Sequence, residues 1–139
     1  MNNFSPIRSF FEQNDRFAAH NHINLVSVSD GRAVAEMQVQ DFHRNGANVV
    51  HGGALFTLAD FAFAAACNSS GQLSLAVNAT IYFIRAGKDG LLTAEAVKVS
   101  ENPKLGVYNV RIKDEAGEVV AEFEGMAYRK NQPLPGMQK

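Results

Sequence analysis

Apolar residues recur with two different periods along this chain, and the changes of period divide it into elements. Ser5-Pro6 reads as a helix start, with Ser5 as the cap and Pro6 at the first helical position. Ile7, Phe10, Phe11 and Phe17 follow at helical spacing and predict an amphipathic helix to about Ala19. Two short runs, Ile23–Ser29 and Arg32–Gln40, flank the turn pair Asp30-Gly31 and predict a strand pair. Asp41 to Val50 is polar, contains Asn45-Gly46, and reads as a loop. His51-Gly52-Gly53 then opens a long apolar helix, Ala54 to Asn68, with Gly71 as its C-cap. Everything after it has strand character: Ser74–Ile84, Leu91–Glu101, Leu105–Lys113 and Glu118–Arg129, separated by turn-forming residues. Asn131 to Lys139 holds two prolines and few apolar residues, and is expected to be a loose tail.

The order is therefore helix, two strands, one long apolar helix, four strands, within 139 residues, which is one domain's worth. Strands joined by short turns favour an antiparallel meander. A helix apolar on nearly every side has to be enclosed. Both demands are met by an α+β fold in which a curved antiparallel sheet wraps one central helix. Ser74–Ile84 is apolar on both faces in part, so a second chain is expected against it.

Composition narrows the function classes. The formal net charge is −1, from 13 basic and 14 acidic residues, which points to neither nucleic acid nor an anionic membrane as partner. No run approaches the ~20 apolar residues of a membrane span, and the N-terminus has no basic-then-apolar leader. A soluble, cytoplasmic protein is the expectation. The single cysteine, Cys67, excludes an internal disulfide and reads as a buried inert thiol. His20 and His22 lack a clear third ligand, so no metal is expected. His43 is assigned to the loop surface.

Asp60 stands out as the one charge between Gly52 and Ser70, set among Leu55, Phe56, Leu58, Phe61 and Phe63. A carboxylate in such surroundings shifts its pKa, finds hydrogen bonds or faces a cleft; a solvated stripe shared with Thr57 is the structural alternative. His51-Gly52-Gly53 places unpaired backbone N–H groups and close backbone access at a helix N-terminus, which suits an oxyanion hole or a tight turn. Asp60 lies seven residues beyond Gly53, on the same side and roughly 10 Å along the axis. That gap is too wide for both to act on one carbonyl in one subunit, and a second subunit resolves it. Asn45 fits either a turn or the positioning of a water or carboxylate, and Thr57 either a substrate contact or a bond to its own helix. Arg85, Lys88 and Lys104, in turns, are candidates for substrate phosphates. No Gly-x-Ser-x-Gly elbow, phosphate loop or dinucleotide fingerprint is present.

The run Asn45 to Asp60, with Asn six residues before His51-Gly52-Gly53 and Asp nine after His51, resembles the PaaI-like branch of the hotdog-fold acyl-CoA thioesterases. So do Phe63–Ser69, Thr80–Gly87 and Gly106-Val107-Tyr108, and the likeness extends over residues 15–130. The resemblance implies a dimer whose sheets join edge to edge, usually doubled to a tetramer, and an acyl-CoA substrate with no separate cofactor. It assigns Asp60 as nucleophile or general base, the N–H of Gly52 (with Gly53) as oxyanion donor, Asn45 as the group orienting water or carboxylate, and His51 as support. In that branch the glycine turn and the acid of one site come from opposite subunits. Two features depart from it: Ala76 or Val77, with Asn78 nearby, stands where some relatives carry a water-positioning Ser, and Arg85-Ala86-Gly87 replaces Arg-Pro-Gly. The implied reaction is hydrolysis of an aryl- or medium-chain acyl-CoA. A hydratase or dehydratase using His51, and a non-catalytic acyl-CoA-binding module, are the competing readings.

Overall fold

A computed structural model describes residues 4–137. Helix α1 spans Ser5–Asn14 and α2 spans Arg16–His20, so the predicted N-terminal helix is broken in two. The break falls at Asp15, which leaves helical geometry and caps α2 by accepting a hydrogen bond from the Ala18 N–H at 3.0 Å. An aspartate so placed offers the backbone a competing partner, which period alone does not reveal.

Strands β1 (Ile23–Ser29) and β2 (Arg32–Gln38) pair across the Asp30-Gly31 turn, and α3 follows at Gly52–Cys67. Then come β3 (Gln72–Phe83), β4 (Leu91–Glu101), β5 (Leu105–Lys113) and β6 (Val119–Pro133). All six form one antiparallel sheet in the order β1-β2-β4-β5-β6-β3. Of the predicted four-strand meander, only β4-β5-β6 is realised; β3 crosses to the far side of β6. The three-residue turn Asn102–Lys104 forces its strands to be neighbours, whereas residues 84–90 form a longer link that spans the end of the sheet. It is held there by Ile84 N–H to Val120 O (2.9 Å), Val50 N–H to Gly87 O (2.8 Å) and Val39 N–H to Gly90 O (2.9 Å). Turn chemistry marks where a strand ends, not which edge the next one joins.

Helix α3 lies across the inner face of the sheet, buried through Leu55, Leu58, Phe61 and Phe63. It ends at Asn68 rather than at Gly71, because the Asn68 amide outbids a glycine cap. Its Nδ2 donates to Ala64 O (2.9 Å) and its Oδ1 accepts from the Ser74 N–H (2.7 Å). Gly125 on β6 gives the Phe63 ring its place: a Cβ there would stand 2.8 Å from Cζ. Phe63 is buried and cannot swing away. Gly125→Ala is therefore expected to destabilise the fold by about 1–3 kcal/mol through overpacking. Thermal melts of the two proteins check this, and an unchanged midpoint would refute it.

The segment expected to be a loose tail continues β6 to Pro133. Leu134 is then buried, with its N–H on Gly71 O at 2.9 Å. Gln138 and Lys139 lie outside the described residues. Beside β6, at the end of the sheet order, β3 has no strand on its outer edge among the described residues. Leu75 and Val77 on it are 52% and 58% exposed, and Tyr82, Phe83 and Ile84 are exposed too. A long apolar edge of this kind is a template for pairing with another chain.

Candidate active site

The loop before α3 is fixed by a residue that the sequence places at the surface. His43 is buried: its Nδ1 accepts from the Gln40 N–H (2.9 Å) and its Nε2 faces Asn21 O (2.6 Å). Both contacts are satisfied by the neutral tautomer protonated at Nε2. The His43 carbonyl in turn accepts the His51 N–H at 2.7 Å, tying the loop to the helix entrance. Arg44 clamps the same loop to the 84–90 link through Asp89 at 2.5 Å. Nothing local in the sequence announces either role, since the partners lie 22 and 45 residues away.

Asn45 shows the turn-forming one of its two sequence readings. Its Oδ1 accepts from the N–H groups of Ala47 (2.9 Å) and Val49 (3.3 Å), which makes it the loop's turn-former. Its Nδ2 has no partner among the described residues, and Asn45 lines the same cleft as Gly52.

His51 caps α3, and this cap sorts the helix's first donors. The Gly53 N–H goes to His51 Nδ1 at 2.8 Å; those of Ala54 and Leu55 go to His51 O at 2.9 and 3.1 Å. The Gly52 N–H has no partner among the described residues. One donor of the positive helix end is thus left for an anion or a carbonyl oxygen. It opens on a cleft of about 310 Å³ walled by Val50, Leu55, Phe83, Arg85 and Gly87. The Phe83 ring lies so close that a Cβ on Gly52 would meet it at 3.1 Å. Thr57 has committed its hydroxyl proton to Gly53 O (2.7 Å), leaving only lone pairs to offer a ligand.

Asp60 lies on the one stripe of α3 that the sheet does not cover, with Gly53, Phe56, Thr57 and Ala64. Its carboxyl has no hydrogen bond or ion pair among the described residues. Burial raises its pKa above the usual carboxylate range, and the nearby Asp15 charge adds to this. Gly52 and Asp60 are eight residues apart, roughly 12 Å along the axis. Cys67 is buried, its thiol pushed up to about 12 by burial first and Asp60 second, and is inert as a nucleophile.

The basic candidates divide between two ends of the molecule. Arg85 lines the Gly52 cleft and pairs with Glu118 at 3.0 Å, and Lys88 is exposed on the same link. Lys104 sits at the far end, where its carbonyl accepts the Arg129 N–H beside Ser74. Gly52 packs at the Phe83 end of β3, and nine residues of strand separate it from that point, about 30 Å. Asn78 is exposed on β3, beside the irregularity at Ala76–Asn78.

With this geometry in view, the comparisons define a class. Residues 47–121 match the thioesterase superfamily, and the chain belongs to that superfamily. Within it the chain falls in the PaaI-like, hotdog-fold branch and is a thioester hydrolase. It is 39% identical over 125 residues to the acyl-coenzyme A thioesterase PaaI of Escherichia coli, covering 89% of each chain. The solved structure of that protein, from the phenylacetic acid degradation operon, superposes with a TM-score of 0.88 over 94% of this chain and 99% of the other. A putative esterase of Archaeoglobus fulgidus is 36% identical over 130 residues, 93% of this chain and 84% of the relative. A hypothetical thioesterase of Streptococcus pneumoniae, solved with coenzyme A, is 25% identical with a TM-score of 0.82 over 91% of this chain and 98% of that one.

Proposed function

We propose that this protein hydrolyses acyl-CoA thioesters at a site assembled from two chains, with Asp60 of one and the Gly52 N–H of the other on the same carbonyl. The observation that carries this reading is the pairing of two unsatisfied groups. One free helix-end donor faces a cleft, and one unpartnered carboxyl lies on the open stripe of the same helix, too far along it to meet the first. A two-fold axis beside the β3 edge runs two α3 helices antiparallel and brings the donor of each toward the acid of the other. The Streptococcus pneumoniae relative, solved with coenzyme A, and the name of the Escherichia coli relative support acyl-CoA as the substrate class.

In the reaction, the thioester oxygen accepts from the Gly52 N–H, and charge developing on it is met by the helix dipole. Asp60, made more basic by burial, takes a proton from the water as its oxygen bonds to the carbonyl carbon, and gives that proton to the CoA sulfur as the C–S bond breaks, leaving free acid and CoA thiol. The Asn45 amide N–H is free to hold that water or the carbonyl, while His51 shapes the turn by keeping Gly53 N–H occupied. Arg85 and Lys88 stand on the Gly52 side to meet phosphates; Lys104 joins them only from the second chain. The apolar walls Leu55 and Phe83, with Phe56 on the stripe, favour aryl or medium-chain acyl groups. No separate cofactor takes part. The expected assembly is a dimer at minimum, doubled to a tetramer.

Release of free thiol, measured across aryl, saturated and enoyl CoA thioesters, tests the reading. Hydrolysis to free acid and CoA is expected, and hydration of enoyl-CoA or binding without turnover would overturn it. Because Asp60 must be ionised to act, and its pKa is raised, kcat/KM is expected to fall on acidification at a higher pH than an ordinary aspartate would give. A pH profile with no acid limb above that range would contradict the assignment. Val77→Lys, which puts a charge on the open edge of β3, is expected to yield monomers and abolish turnover. Sedimentation showing an active monomer would refute the two-chain site.

A further inference from the structure

The loop between β2 and α3 delivers the Gly52 donor, and one buried ring fixes that loop to the body of the fold. His43 bonds twice within the loop: its N–H donates to Gln40 O (3.0 Å) and its Nδ1 accepts the Gln40 N–H (2.9 Å). Outside the loop, its Nε2–H donates to Asn21 O at 2.6 Å. Asn21 is a firm post. Its N–H and its side-chain amide both donate to Phe17 O, at 3.1 and 2.8 Å, and β1 starts two residues later at Ile23. Phe42 shields the tether from water, with its ring 4.5 Å from that of His43 and 4.9 Å from that of His22, and His43 is 1% exposed.

We propose that His43 is a positioning residue for the hydrolysis, its Nε2–H tether to Asn21 O holding the helix entrance so that the Gly52 N–H stays aimed at the thioester oxygen. The inference rests on the reading of Gly52 as the oxyanion donor. From the tethered ring, the His43 carbonyl holds the His51 N–H at 2.7 Å, and His51 Nδ1 holds the Gly53 N–H at 2.8 Å. The Gly52 N–H lies between these two bonds and is kept in one direction by them. The Gln40 contacts shape the loop only from within, so the Asn21 tether is the one that sets its place against α2 and β1. On its other side the loop is tied to the 84–90 link by Arg44 on Asp89 and by the Val50 N–H on Gly87 O. Those bonds keep the loop attached when the tether is cut, while the helix entrance is free to shift. A displacement of about 1 Å at a reacting group can cost on the order of 10²-fold in rate.

His43→Asn keeps an acceptor for the Gln40 N–H, with Oδ1 where Nδ1 stood, but does not reach Asn21 O. Its kcat is expected to fall by about tenfold to 10²-fold, with KM little changed. His43→Gln puts an amide N–H where Nε2 stood and is expected to restore most of the rate. Positioning is separated from folding by combining His43→Asn with Gly52→Pro, below the melting temperature of each protein. Where the donor is already gone, His43→Asn is expected to cost little further rate, whereas a loss of folded protein lowers both backgrounds alike. Undiminished kcat in His43→Asn, equal fold-losses with and without Gly52→Pro, or a His43→Gln as slow as His43→Asn overturns the proposal. A Gly52→Pro single variant as active as wild type overturns the reading of Gly52 as donor, and this proposal with it. Should His43→Asn not fold, His43→Met, which fills the space without a donor, takes its place in the cycle. If that variant does not fold either, the ring is a structural group and the proposal falls.

Discussion

Asp60→Asn is expected to fold, to assemble as wild type does, and to hydrolyse acyl-CoA at least about 10²-fold more slowly. The loss follows from removing the one group on the open stripe of α3 that can take a proton from water. The fold is expected to survive because nothing in it depends on the charge: the carboxyl has no hydrogen bond or ion pair among the described residues. The direction of its pKa shift makes a second, opposite expectation. A carboxyl whose folded pKa lies above its unfolded one favours the fold in its protonated form. Its contribution is fully present below the unfolded value of 3.8 and is lost as pH rises through the folded value. At neutral pH the ionised carboxylate is therefore a burden on stability, and Asp60→Asn is expected to melt at the same or a higher temperature. Function gained at a cost in stability is the mark of a site residue. A variant that melted early yet kept its rate would show Asp60 to be a structural group.

Gly52→Pro is the second large effect. Gly52 is the first residue of α3, a position where proline fits the helix and its missing N–H breaks no internal bond. His51 is already extended, at φ −62 and ψ 137, as a residue before proline must be. The added Cβ meets the Phe83 ring at 3.1 Å, a contact that a shift of a few tenths of an ångström in the ring relieves. The substitution thus deletes a single donor. A rate loss of about 10²–10³ is expected, in kcat more than in KM. If Gly52→Pro were as active as wild type, the carbonyl would have to bind elsewhere.

How far the sequence disclosed this can be judged residue by residue. The two-period pattern placed β1, β4 and β5 correctly: β5 alternates throughout, and in β1 and β4 the alternation is interrupted only at Leu25–Ser27 and Lys98–Ser100. It misplaced β3, whose partner is decided by a link crossing the sheet end, and it joined α1 to α2 across a cap that competes with the helix. The Asn45, His51-Gly52-Gly53 and Asp60 spacing pointed to the site proposed here, since all lie on one loop and one helix. The resemblance already put Gly52 before Gly53 as donor; the reason, that His51 Nδ1 turns back to take the Gly53 N–H, is visible only in the structure. Nor were His43, Arg44 and Asp15, whose work is done across 22 or more residues or between elements.

The two-chain site is tested most directly by mixing. Asp60→Asn and Gly52→Pro proteins, each expected to be nearly inactive and, on the proposed assembly, dimeric, are dissociated, combined in equal amounts and reassociated. Half of the resulting dimers carry one chain of each kind, and in these one of the two sites has both its Gly52 donor and its Asp60. Activity is expected to recover to about a quarter of the wild-type value per chain. A mixture no more active than the average of its two parents would mean that donor and acid act within a single chain, and the shared site would have to be abandoned.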